Sequence, residues 1–266
     1  MARLRKLGWL RQLLLALSCL VLVVACNNTS GTSGAKTLKV AIDPTFAPFE
    51  FQKDDKLQGF DVDLINSIGK AAGFQPQYET MRFDAMIGSL QAGSIDAAVA
   101  GLTITAERAK TVDFSKPYFK SGLAIAVSDK IKNVTKLDDL KNKKVAVQIG
   151  TTSAKEAKTI PGVKVSTFDT PDLALQELAN GNVDAVINDR PVTLYAFKTG
   201  NLKGLKVVGE LLTEEYYRIA LPKNSPNLKL VNQGLETIIK DGTYATIYKK
   251  WFNEEPPKLP DAAPLK

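Results

Sequence analysis

From residue 38 onward, the chain alternates short β-branched segments with segments whose apolar residues recur at helical spacing. LKVAI at 38–42 and KKVAVQ at 143–148 are typical of strands, whereas residues 61–72 place Val62, Ile65 and Ile68 on one face of a helix. Strands that alternate with helices in this way predict an α/β fold with largely parallel sheets.

The same hydrophobic patterns predict the remaining strands and helices of the chain. It predicts strands at 77–79, 97–100, 123–128, 163–168 and 185–188, and extended segments at 207–212 and 217–221. It predicts helices at 83–92, 153–158, 171–180 and 191–198, and one long helix at 227–251.

Two segments share the pattern G-x-[IV]-D-A-x-[VI], one at 93–99 and one at 181–187. Each follows a predicted helix, whose end the glycine can cap, and each leads into a short strand. Two α/β units of the same kind suggest two related lobes. The alternative is a chance similarity between two common helix–strand turns.

The N-terminus is typical of a secretory signal. Four basic residues precede an apolar run at 13–25, which is shorter than the roughly 20 residues that span a bilayer. The junction Val23-Val24-Ala25-Cys26 resembles the lipobox of bacterial lipoproteins, in which the cysteine carries the lipid; the alternative is an ordinary signal peptide with an incidental cysteine. Residues 26–37 then form a flexible tether. We therefore expect an extracytoplasmic protein, in the periplasm or on the outer face of the cell membrane, anchored through Cys26.

Charge and composition exclude several classes of function. Removal of the four basic signal residues lowers the formal net charge from +7 to +3, so the charge gives no reason to expect nucleic-acid binding. The chain has no histidine, which excludes Ser-His-Asp and Cys-His nucleophile pairs and His-ligated zinc. Its two cysteines, Cys19 and Cys26, exclude a Cys-rich metal site. We expect no metal and no cofactor.

GFDVDL at 59–64 resembles the signature of the family 3 extracellular solute-binding proteins, the amino-acid receptors of bacterial ABC importers. The likeness continues in order as DPTFAPFEF (43–51), AGLTITAER (100–108), VDFSKPYF (112–119), GTTS (150–153), INDRP (187–191) and DGTYATIYKKWF (241–252). It implies a type II periplasmic binding protein, monomeric, with two α/β lobes that close on a ligand about two hinge crossings. By this resemblance lobe 1 comprises 38–117 and 218–255, lobe 2 comprises 123–212, the crossings lie at 118–122 and 213–217, and 256–266 is a tail.

The resemblance also implies which residues bind the ligand. Arg108 is expected to hold an α-carboxylate with its planar fork, helped by Gly101 and Thr103, and Asp189 to meet the α-ammonium from the other lobe. Alternatively, Arg108 is a solvated residue on a helix that starts at Thr105, and Asp189 only caps the next helix. The full set of expected ligand-binding residues is Asp43, Phe46, Phe83, Ala100, Gly101, Thr103, Arg108, Gln148, Thr151, Thr152, Asn188 and Asp189.

Other members of this set have implied roles of their own. Thr151 and Thr152 lie where a strand meets a helix, whose N-terminus suits the same carboxylate, although they could be plain helix caps. Phe46 and Phe83 match positions that sandwich the ligand's side chain. Asn188 replaces a histidine found in some relatives.

Asp43 and Gln148 match positions at the far end of the ligand's side chain. Some glutamine receptors carry lysine where Gln148 stands, so this end of the pocket stays acidic. Such an end suits guanidinium, which ranks arginine first, then lysine or glutamine. We expect a receptor, not an enzyme, that delivers its amino acid to a membrane permease driven by an ATPase. The alternative is an enzyme on the same fold, similar to cyclohexadienyl dehydratase, which would need a general acid or base in the cleft.

Overall fold

The computed structural model describes residues 36–200 and 202–260. The predicted signal, the lipobox with Cys26, most of the predicted tether and the last six residues lie outside the described residues. Within the described part, none of the helices combines the length and the apolar character that a membrane span requires.

Short strands and helices alternate along the described chain. The strands are β1 Lys36–Ile42, β2 Thr45–Phe46, β3 Glu50–Lys53, β4 Lys56–Gln58, β5 Phe74–Thr80, β6 Ala97–Ala98, β7 Val112–Phe114, β8 Phe119–Ser121, β9 Leu123–Ser128, β10 Lys144–Gln148, β11 Lys164–Phe168, β12 Ala185–Asp189, β13 Leu205–Val208, β14 Glu215–Tyr217 and β15 Ala220–Pro222. The helices are α1 Phe60–Ala72, α2 Met86–Gln91, α3 Thr152–Ala157, α4 Pro171–Ala179, α5 Arg190–Thr199, α6 Asn227–Lys240 and α7 Thr243–Phe252, with 3-10 turns at Phe83–Ala85, Arg108–Lys110 and Leu137–Leu140.

The two larger sheets define two α/β lobes. Lobe 1 contains the sheet β5-β1-β6-β15-β7 and lobe 2 contains the sheet β11-β10-β12-β9-β13. Strands β8 and β14 pair with each other in a two-stranded antiparallel sheet between the two lobes along the chain. The prediction of largely parallel sheets is only partly right. β1 with β6 and β10 with its neighbours are parallel, but β9 and β15 are antiparallel to the strands beside them.

Aromatic side chains fill the core of lobe 1. Phe49 and Phe60 are fully buried, and their rings meet edge to face with centroids 6.0 Å apart. Phe119 approaches Phe49 in the same way at 4.8 Å, and Phe46 lies 5.8 Å from Phe49. Edge-to-face pairs add about 0.5–1.5 kcal/mol each to the free energy gained by burial. The Phe46 ring therefore packs against a cluster of buried aromatic rings centred on Phe49.

Two predicted helices have a different form. The predicted helix at 227–251 is wrong, because α6 ends at Lys240 and α7 begins at Thr243. Between them Gly242 adopts a φ of 85°, in the left-handed region that cannot continue a right-handed helix. The predicted helix at 83–92 begins as the 3-10 turn Phe83–Ala85 and becomes α-helical only over α2.

The repeated G-x-[IV]-D-A-x-[VI] pattern forms the same structure in both lobes. The Asp96 N–H donates to the Lys39 carbonyl, and Asp96 Oδ2 accepts from the Lys39 N–H, both at 2.8 Å. Asp184 makes the same pair of bonds with Lys144, again at 2.8 Å. In each lobe the aspartate ties the helix–strand turn to the neighbouring parallel strand. This correspondence supports two related lobes rather than a chance likeness.

The two lobes also meet through aromatic rings. Phe51 on β3 lies 6.0 Å from Tyr195 on α5 of lobe 2, measured between ring centroids. On its other side, Phe51 meets Trp251 of α7 edge to face at 5.8 Å. The Trp251 indole N–H donates to Asp63 Oδ2 at 2.7 Å, so the ring is held in place.

Candidate functional site

A narrow cavity lies between the two lobes. Lobe 2 contributes the last residues of β10 and β12 and the start of α3, which is where α/β sheets commonly bind small molecules. Every residue that lines the cavity belongs to the set expected from the sequence: Phe46, Phe83, Gly101, Thr103, Arg108, Gln148, Thr151, Thr152 and Asp189.

The other three residues of the expected set lie outside the lining. Asp43 is buried and accepts a hydrogen bond from Gln148, a residue of the lining. Ala100 is buried beside Gly101, and Asn188 donates from Nδ2 to Thr193 Oγ1 at 3.2 Å within lobe 2. The structure therefore does not bring Ala100 and Asn188 to the cavity.

The Arg108 guanidinium contacts both lobes. Its Nη1 donates to the Thr103 carbonyl of lobe 1 at 2.7 Å, and its Nη2 donates to the Gly150 carbonyl of lobe 2 at 3.0 Å. Its Cζ lies 5.3 Å from the centroid of the Phe83 ring. Thr105 Oγ1 accepts the Arg108 N–H at 3.1 Å, but the predicted helix from Thr105 is wrong, because only a 3-10 turn forms and it begins at Arg108. Burial lowers the pKa of Arg108 to about 10, which leaves it protonated at neutral pH.

Asp189 ends β12, is buried, and lines the cavity together with Arg108. Its Oδ1 accepts hydrogen bonds from the hydroxyls of Ser121 and Tyr217. The side chain makes no capping bond to α5, so the interpretation of Asp189 as a side-chain cap is wrong. Burial, and then the nearby Glu215, raise the pKa of Asp189 to about 7. A cation in the cavity would favour the ionised form.

Asp43 and Gln148 are hydrogen-bonded to each other beside the cavity. Gln148 Nε2 donates to Asp43 Oδ2 at 3.2 Å and to the Asp169 carbonyl at 3.1 Å. Gln148 Oε1 is buried and has no hydrogen-bond partner within the described part of the chain. Burial raises the pKa of Asp43, although hydrogen bonds from Thr45 and Phe83 oppose this. An unused acceptor and a buried carboxylate thus lie side by side.

Thr151 and Thr152 have different partners. Thr151 is the N-cap of α3, because its hydroxyl accepts the Ala154 N–H at 3.2 Å and donates to the Gln148 carbonyl at 2.7 Å. Thr152 instead donates its hydroxyl to Glu215 Oε2 at 3.0 Å. The capping interpretation is therefore correct for Thr151.

Two groups expected to hold a ligand carboxylate are bonded within the protein. The Gly101 N–H donates to Asp61 Oδ2 at 3.1 Å, and the Thr103 hydroxyl donates to Glu215 Oε2 at 2.7 Å. Sequence reasoning did not include Asp61 or Glu215 in the site. Glu214-Glu215 is indistinguishable in the sequence from a solvated acidic pair.

Asp189 is the one carboxyl that lines the cavity within residues 36–200 and 202–260, and other buried carboxyls bond residues of the lining. Burial raises the pKa of Glu50 well above its usual range and that of Asp61 to about 6. Among the described residues that line the cavity, Arg108 is the single cation. The buried carboxyls are Asp43, Glu50, Asp61, Asp189 and Glu215. These surroundings favour a ligand that brings positive charge.

The absence of a side chain at Gly101 leaves room for the Phe46 ring in the cavity lining. The φ of 56° at Gly101 lies in the left-handed region, and a Cβ at this position would stand 2.6 Å from Phe46 Cε1. Any side chain here would be strained and would displace the Phe46 ring from the cavity wall.

The sequence profile of the bacterial extracellular solute-binding proteins, family 3, matches residues 38–254. The chain belongs to this family. A probable histidine-binding protein of Campylobacter jejuni is 34% identical over 239 residues, which cover 86% of this chain and 93% of that protein.

Two solved structures of similar proteins extend the comparison. The arginine-, lysine-, histidine-binding protein ArtJ from Geobacillus stearothermophilus is 39% identical, with a TM-score of 0.80 over 83% of this chain and 97% of ArtJ. An ancestral arginine-binding protein bound to arginine is 47% identical, with a TM-score of 0.78 over 81% and 98% of the two chains. These relatives are named as binding proteins, so membership of this family means solute binding rather than catalysis. The two-lobed fold is likewise confirmed.

Proposed function

We propose that this chain is the substrate-binding lipoprotein of an amino-acid ABC transporter, which captures L-arginine in preference to L-lysine and L-glutamine. The lobes close on the amino acid, and the closed protein delivers it to a membrane permease driven by an ATPase. The protein acts as a monomer outside the cytoplasm, anchored through a lipid on Cys26.

Two opposite charges at one cavity support an amino acid as the ligand. Arg108 comes from lobe 1 and Asp189 from lobe 2, and both line the cavity. Two of the five guanidinium N–H donors are used by backbone carbonyls, which leaves others for an α-carboxylate. An α-ammonium can pair with Asp189. A zwitterion satisfies both residues only in the closed cleft, so binding favours closure.

The proposed preference for arginine rests on Oε1 of Gln148. This buried acceptor has no hydrogen-bond partner among the described residues, and it belongs to the side chain that contacts Asp43. A guanidinium brings several donors in one plane, so it can meet the Asp43 carboxylate and this oxygen together. The rings of Phe46 and Phe83 line the same cavity and offer faces for the guanidinium plane. Glutamine can reach both acceptors but gains no ion pair. The relatives named for arginine and histidine are consistent with this preference.

Calorimetric titration of the purified protein with each of the twenty amino acids tests the proposal. We expect L-arginine to bind most tightly, with lysine and glutamine weaker by about 1 kcal/mol or more, a factor of roughly five. Prephenate and arogenate, offered in a parallel turnover assay, should remain unconverted. Tighter binding of an acidic or aliphatic amino acid would contradict the proposed ligand, and conversion of prephenate or arogenate would contradict the receptor role.

A further inference from the structure

Glu215 joins the two lobes through one oxygen atom. The residue lies on the crossing strand β14, and it is 1% exposed. Its Oε2 accepts from Thr103 Oγ1 of lobe 1 at 2.7 Å and from Thr152 Oγ1 of lobe 2 at 3.0 Å. Its other oxygen, Oε1, accepts from Thr213 Oγ1 at 3.0 Å.

The donors of these hydrogen bonds are limited in number. A threonine hydroxyl has one hydrogen to donate. Thr103 and Thr152 both give that hydrogen to Glu215, so neither hydroxyl is left to donate to a bound carboxylate. The carbonyl of the same Thr103 accepts from Arg108 Nη1 at 2.7 Å. Thr103 thus bonds both Glu215 and Arg108, so a shift of Thr103 away from Glu215 would also move the Arg108 guanidinium.

We propose that Glu215 is a positioning residue that couples closure of the lobes to ligand binding. Its carboxylate holds Thr103 and Thr152 together in the closed cleft and aligns Arg108 without contacting the ligand. This inference rests on the proposed function, in which Arg108 receives the α-carboxylate. The competing explanation is that Glu215 only accepts hydrogen bonds from hydroxyl groups around the crossing strands. A substitution of Thr213, which also donates to Glu215, distinguishes these two explanations.

Three substitutions probe the bridge. Thr152→Val removes the hydroxyl of lobe 2 at nearly constant volume, and Glu215→Gln removes the charge while keeping the shape. Thr213→Val is the matched control, because it removes a donor to the same carboxylate from outside both sheets. For each variant, the dissociation constant and dissociation rate of L-arginine are measured together with the melting temperature.

We expect Thr152→Val and Glu215→Gln each to weaken L-arginine binding at least about tenfold, mainly through faster dissociation. Thr213→Val should lower the melting temperature but weaken binding less than about threefold. The double variant of Thr152 and Glu215 should bind within about twofold of Glu215→Gln alone, because both changes break one bridge. Additive losses, or an equal loss in Thr213→Val, would overturn the proposal.

Closure without ligand gives an independent measurement. By small-angle X-ray scattering, ligand-free Glu215→Gln and Thr152→Val should show a larger radius of gyration than the ligand-free wild type and Thr213→Val. Identical radii in all four proteins would overturn the coupling role. If wild type fails to bind L-arginine, the proposed ligand is wrong, whereas the scattering comparison still decides the role of Glu215.

Discussion

Asp43 of lobe 1 and Gln148 of lobe 2 are hydrogen-bonded across the cleft, with Nε2 of the amide 3.2 Å from Oδ2 of the carboxylate. The contact places a neutral amide, which can both donate and accept hydrogen bonds, where a lysine would form an ion pair with Asp43. The residue at position 148 can therefore set the net charge of this pair beside the cavity.

Gln148→Lys should reverse the ligand preference. The ammonium group would neutralise Asp43 and repel a guanidinium, so we expect L-arginine binding to weaken at least about tenfold, or 1.4 kcal/mol, while L-glutamine binding stays equal or improves. Calorimetric titration with both ligands measures the change, and Gln148→Met controls for loss of the amide alone. Equal losses for the two ligands, or tighter arginine binding, would show that these residues do not determine the choice.

Arg108→Ala and Asp189→Ala should each remove measurable amino-acid binding without unfolding the protein. A charge-assisted hydrogen bond contributes roughly 1.5–3 kcal/mol, and an unpaired charge on the ligand adds a similar penalty. A receptor with a dissociation constant of about 1 μM would then bind in the millimolar range. Lys158→Ala, at the exposed end of α3, is the control that should bind normally. An affinity within a few-fold of wild type in either cleft variant would mean that the zwitterion binds elsewhere.

The affinity for L-arginine should fall as the pH drops below about 7. The pKa of Asp189 is raised to about 7 by burial, and only its ionised form can pair with an α-ammonium. Below that pH the affinity should decrease by up to about tenfold per pH unit, and above it the affinity should be constant. Titrations between about pH 5.5 and 8.5 measure this slope. Asp189→Asn should bind weakly and lose the slope; a flat profile in wild type would contradict the assignment.

The same carboxyl should make the ligand-free protein less stable at higher pH. The folded-state pKa of Asp189 lies above the value of about 3.9 expected when unfolded, so its contribution is most favourable at low pH and is lost as the pH rises through about 7. Asp189→Asn should therefore raise the melting temperature by a few degrees at about pH 8 and change it little at about pH 4, where the carboxyl is protonated in the folded state and still about half protonated in the unfolded state. Calorimetric melting curves of both proteins at both pH values would show this, and a lower melting temperature of the variant at the higher pH would contradict it.

Cys26→Ser should release the protein into the soluble fraction or leave an unprocessed precursor. In the proposed lipoprotein one thiol would carry the whole anchor, and stable anchoring needs about two acyl chains, which diacylation of that thiol would supply. Fractionation followed by immunoblotting measures the distribution, and Cys19→Ser should stay membrane-bound. A fully processed Cys26→Ser protein that remains with the membrane would disprove the lipobox prediction.

Most of the cavity lining could be predicted because local motifs carry it. Thr103 and Arg108 belong to one loop, and each side chain is placed by its own strand end or turn. Glu215 could not be predicted, since its burial results from the pairing of two crossing strands that lie far apart in sequence. The break at Gly242 was missed because apolar residues such as Tyr244 and Ile247 keep helical spacing within α7. Hydrophobic periodicity does not show that the backbone at Gly242 adopts a positive φ.

The intrinsic fluorescence of Trp251 should report the opening and closing of the two lobes. The other tryptophan of the chain, Trp9, lies in the predicted signal segment, so the processed protein of our proposal would contain Trp251 alone. Its ring meets Phe51, which in turn faces Tyr195 of the other lobe, so rotation of one lobe against the other changes what surrounds the indole. The emission of an unlabelled sample should therefore follow each opening and closing in real time, with Tyr195→Ala as the variant in which the signal fades.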